Sequence, residues 1–121
     1  MDLKEVIETI EAGYEFMLAY AAQGFEKHQT GQHQNDAQGH LQQMLAALEQ
    51  LPGLTESALA PLTDTDDFAA TVGEDARKAA GAIRLVLASD GLSSQLIDNL
   101  NASTHVRTLL TDLFLLDEAL P

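Results

Sequence analysis

The chain has 121 residues, 45% of them hydrophobic, and no cysteine. That length makes one domain, 1–121, and the missing cysteines exclude disulfides, thiolate zinc sites, iron–sulfur clusters and cysteine nucleophiles. Nineteen acidic residues face six basic ones, a formal charge of -13. This argues against direct nucleic-acid binding and against anionic membrane, both of which draw their affinity from Lys and Arg. The acidity has three readings: a solubilising surface, a basic protein partner steered by the field, or adaptation to a saline cytoplasm.

Leu and Ala dominate the apolar set, with sparse Gly and Pro, which is a helical composition. The first helix is expected over about 2–28. Asp2 caps it, with Glu5 completing a capping-box-like pair. Leu3, Ile7, Ile10, Tyr14, Met17 and Ala21 recur at steps of four and three, the seam of a helix that packs along its length on others. Its second half, from Phe16 to Ala22, is apolar almost all round. With the seam in that phase, Phe16, Leu18 and Tyr20 exceed what one core buries. Either the connector after helix 2 covers Phe16 or a second subunit does. Gly31 is the expected stop.

Residues 28–40 read as a polar turn rich in His and Gln. The second helix is expected over about 34–51, with Leu41, Met44, Leu48 and Leu51 inside and Pro52-Gly53 ending it. A connector over 54–67 leads to a third helix over about 65–89, whose inner face is Phe68, Val72, Ala76, Ala79, Ile83 and Val86. Asp90-Gly91 stops it. Ser93 caps a fourth helix over about 93–119, with Leu96, Leu100, Val106, Leu110 and Leu113 inside and a weak patch at 101–104 that leaves open either one continuous helix or a break into two. The fold class that follows is all-α, an antiparallel up-down-up-down four-helix bundle. No stretch alternates with period two over a strand's length. No apolar run approaches the ~20 residues of a membrane span, and the N-terminus lacks a signal peptide's basic and apolar regions, so a cytoplasmic location is expected.

No motif carries a chemistry. There is no Gly-rich phosphate loop, no G-x-S-x-G and no Glu-x-x-His. A metal-carboxylate protein of ferritin-like or hemerythrin-like kind is the alternative reading, with Glu15, Asp75 and His105 meeting only if the heptad phase is wrong. His28 and His33 are the weaker metal candidates, able to meet across the turn at Gly31. His33 and His40 are seven residues apart, roughly 10 Å along a helix and too far to share an ion. No cofactor is expected. The preferred expectation is a non-catalytic helical accessory protein that acts through protein–protein contacts. Its contact residues would be the ridge Glu8, Glu11 and Glu15, facing a basic protein, and the surplus apolar residues Phe16, Tyr20 and Leu115, joining two copies into a homodimer.

Overall fold

The computed structural model describes residues 1–28 and 31–121, all of its regular structure helical. In chain order these are α1 (Leu3–Ala21), α2 (Gln32–Leu59), α3 (Asp66–Leu87), α4 (Ser94–Ala102) and α5 (His105–Ala119). Helix α1 packs on α2 on one side and on α4 and α5 on the other, while α3 packs mainly on α2 and α5. The core between them is formed largely by Ile10, Met17, Leu41, Met44, Leu48, Leu51, Ile83, Leu109 and Leu113, each with almost no exposed surface. None of the helices is long and apolar enough to cross a membrane, among the described residues.

Two of the expected starts are realised by their caps. The Asp2 carboxylate accepts from the Glu5 amide at 2.8 Å and the Ser93 hydroxyl from the Leu96 amide at 3.0 Å, each satisfying a donor the helix itself leaves unpaired. The weak patch at 101–104 is a true break: Thr104 adopts a left-handed backbone, φ 68°, between α4 and α5.

Other boundaries differ. Helix α1 ends at Ala21, not near His28. Gly24, at φ 72°, turns the chain, and the Phe25 backbone then pairs with Ser94 instead of continuing the helix: its amide donates to Ser94 Oγ and its carbonyl accepts from the Ser94 amide, both at 2.8 Å. Most of the expected polar turn is helical, since α2 begins at Gln32; Gln29 and Thr30 of that turn lie outside the described residues. Helix α2 also runs through Pro52 to Leu59. An interior proline costs about 3 kcal/mol, but stopping there would leave Thr55 and Leu59 out of the core, where both are now buried. Burial of one leucine contributes about 1.5–3 kcal/mol, of the same order as the local penalty, and Leu54, packed against the core, adds to it. The connector to α3 is therefore only residues 60–65.

The seam of α1 is shifted by one residue on one of its two rows. Ile7, Ile10 and Met17 are buried as expected, but Val6, Gly13 and Tyr20 are buried with them, while Tyr14 and Ala21 are only half-buried. Gly13 explains the shift. A Cβ there would lie 2.2 Å from Met44 Cγ, so α2 presses on α1 at the position where no side chain stands between them.

Candidate functional site

The shifted seam turns Tyr20 inward. It is 2% exposed, and its hydroxyl donates to the Leu92 carbonyl. Burial pushes the phenol's pKa above its ordinary value. Around it the start of α4 is tied to the end of α1. Ser94 Oγ donates to the Tyr20 carbonyl at 2.7 Å, and Asn101 Nδ2 donates to the Met17 carbonyl at 3.3 Å. From α2, Gln34 closes the same junction, accepting from the Leu92 amide at 3.0 Å and donating to its carbonyl at 3.1 Å.

Phe16 is half-buried, and within the chain its cover comes from α2 and not from the connector. His40 stacks on Phe16 at 3.9 Å between ring centroids, and His33 stacks on Phe25 at 4.1 Å. With Phe16–Tyr20 at 6.1 Å and Tyr20–Phe25 at 5.0 Å, the rings form a ladder from His40 to His33 across the α1–α2 contact. Such pairs contribute about 0.5–1.5 kcal/mol beyond their buried area. A cavity of about 140 Å³ lies beside the ladder, bordered by Phe16, Tyr20, Phe25, His33 and Asp36. His33 is therefore an aromatic packing residue, with its Nε2 buried and unpartnered. His28 is exposed and borders a separate cleft with Asp90, so the expected His28–His33 pair does not form. Among the described residues, no three His, Asp or Glu side chains converge as metal ligands would.

The remaining residues singled out by sequence divide. Glu8 and Glu15 are exposed and Glu11 is half-buried, all on the outer side of α1. Among the described residues none of the three takes part in an ion pair, whereas four of the six cations are already engaged: Lys27 with Asp90 at 2.9 Å, Arg77 and Lys78 with Glu74 at 3.3 and 4.0 Å, and Arg84 with Glu49 at 3.1 Å. The Lys27 contact holds the Asp90 carboxyl below its usual range. Leu115 is 61% exposed near the end of α5, with Phe114 beside it at 55%. Of the residues expected beside it, Tyr20 is buried and Phe16 half-buried.

Sequence reading missed one polar contact. Asp75 of α3 meets Asp112 of α5. Burial, followed by the hydrogen-bonding and negative charge of Asp75, raises the Asp112 carboxyl to about 7. Asp112 Oδ2 is buried without a donor. Asp112 falls between the core residues Leu109 and Leu113 and Leu116, at the edge of the inner face, and that flank position was the one available signal.

No protein-family model, no curated protein and no solved structure matches this chain.

Proposed function

We propose that the protein acts by binding, as a non-catalytic accessory protein whose α1 outer face meets a Lys/Arg-rich surface of another protein. The observation that carries this is the row Glu8, Glu11 and Glu15, left without a counter-ion among the described residues while most of the cations are spent on other carboxylates. Like charges three and four apart on a helix cost about 0.2–0.5 kcal/mol per pair. A basic partner removes that cost, and the net charge of -13 speeds its approach in low salt. The test uses a polylysine peptide as the basic probe. The double variant Glu8→Lys/Glu15→Lys is compared with a control, Asp117→Lys/Glu118→Lys, that changes net charge equally on α5. Weaker binding by the α1 variant than by the control supports the reading. Equal weakening of both reduces it to net charge alone.

Self-association is a second reading, and of the residues expected to carry it Leu18 and Leu115 stay exposed. With Tyr20 buried and Phe16 under His40, the exposed apolar residues a homodimer could use include Phe114 and Leu115 on α5, Leu18 on α1 and Leu85 on α3. Sedimentation at micromolar concentration tests it: a 13.0 kDa species contradicts the dimer. Both readings treat α4 and α5 together as the broken fourth member of an antiparallel up-down-up-down bundle, a description favoured by α1 and α3 each packing on both α2 and the α4–α5 pair.

A further inference from the structure

Helix α5 follows the break after α4. It begins at a left-handed Thr104 with no side-chain cap, and it leans chiefly on α3. Within that contact two acids meet, Asp75 and Asp112. Asp112 carries a buried oxygen with no donor, and a buried acceptor left unpaired costs about 1–3 kcal/mol. A proton on the Asp112 carboxyl resolves this, because a protonated carboxyl donates while its neighbour Asp75 accepts.

We propose that the α3–α5 contact is a proton-dependent latch, in which one proton shared by Asp75 and Asp112 docks α5 and its loss sets two carboxylates against each other and loosens α5.

The surroundings offer no other neutralisation. Among the described residues no ion pair reaches Asp112: on α1, Lys4 is exposed and the other charged groups Glu5, Glu8, Glu11 and Glu15 are acidic, α4 carries only Asp98, and Arg84 of α3 is paired with Glu49. Arg77 and Lys78, next to Asp75 on α3, are drawn to Glu74. On α5 itself His105 and Arg107 are exposed and do not act on Asp112. The Asp112 carboxyl, raised to about 7, brings the transition close to neutral pH. The direction is fixed by linkage. The folded chain holds a proton that the unfolded chain has released above about pH 4, so stability declines as pH rises from there to about 7 and then levels.

Urea unfolding of the wild type and Asp112→Asn from pH 4.5 to 8.5 tests this. The asparagine keeps the shape and a permanent donor. The folding constant of the wild type relative to the variant is expected to fall with pH between about 5 and 7, by at most tenfold per unit for one proton, and then to level. Asp75→Asn should flatten the dependence in the same way. Parallel curves for wild type and Asp112→Asn overturn the proposal. Hydrogen exchange of the wild type at pH 5.5 and 8, corrected for intrinsic rates, reads the latch without any variant. Loss of protection confined to residues 105–119 supports it, and unchanged or uniformly reduced protection across all helices overturns it. Neither result depends on whether α1 binds a basic partner.

Discussion

Ser94→Ala probes the junction that sets where α1 ends. Ser94 is 4% exposed, and its hydroxyl serves two backbone groups of a distant segment, accepting from the Phe25 amide at 2.8 Å and donating to the Tyr20 carbonyl at 2.7 Å. Alanine removes both. The Tyr20 carbonyl keeps a second donor, the Gln23 amide at 3.2 Å, so its loss is small. The Phe25 amide keeps no other acceptor among the described contacts, and an orphaned, partly buried N–H costs about 1–3 kcal/mol. The expected destabilisation is about 2 kcal/mol, a fall in Tm of about 8 °C for a domain of this size. Urea unfolding followed by helical circular dichroism measures it, with the slope unchanged if the native fold is kept. A variant within about 0.5 kcal/mol of wild type would show that the hydroxyl does not hold this turn, and the account of why α1 stops at Ala21 would fail.

Three further substitutions test other contacts. Thr55 is fully buried with an unpartnered hydroxyl, so Thr55→Val should raise stability by about 1 kcal/mol; a loss in thermal unfolding would mean that the hydroxyl has a partner in solution. Gly13→Ala places a methyl against Met44 Cγ and should destabilise by about 1–2 kcal/mol despite alanine's better helix propensity; a stabilised variant would refute the close approach of α1 and α2. His40→Ala removes the ring stacked on Phe16 and should cost about 1 kcal/mol, read as a shift in the urea midpoint.

Much of the fold was legible because its signals are local. The Asp2 and Ser93 caps, the apolar rows of α2 and α3 and the weak patch at 101–104 each depend on residues a turn apart. What was not legible depends on distant partners. Pro52 reads as a stop until Thr55 and Leu59 are seen inside the core. The row Val6, Gly13 and Tyr20 does not announce itself, because glycine carries no hydrophobic signal and its role comes from Met44 on another helix. That one-residue shift then misplaced Tyr20 and left Phe16 without its cover. His40, read as a polar turn residue, supplies that cover as a flat ring, and His33 does the same for Phe25. The acidic ridge was legible because it needs no partner within the chain: Glu8, Glu11 and Glu15 lie off either version of the seam. Asp112 was not, since an aspartate flanking an apolar row resembles any solvated neighbour until Asp75 is placed beside it.

The proposed role of the α1 ridge is tested most directly by following backbone amide NMR signals while a polylysine peptide is added at about 0.1 M salt, where charges beyond about 10 Å are screened. The account predicts shifts concentrated between Lys4 and Leu18, with Glu8, Glu11 and Glu15 among the largest. Shifts spread evenly over the acidic residues of α3 and α5 as well would contradict it.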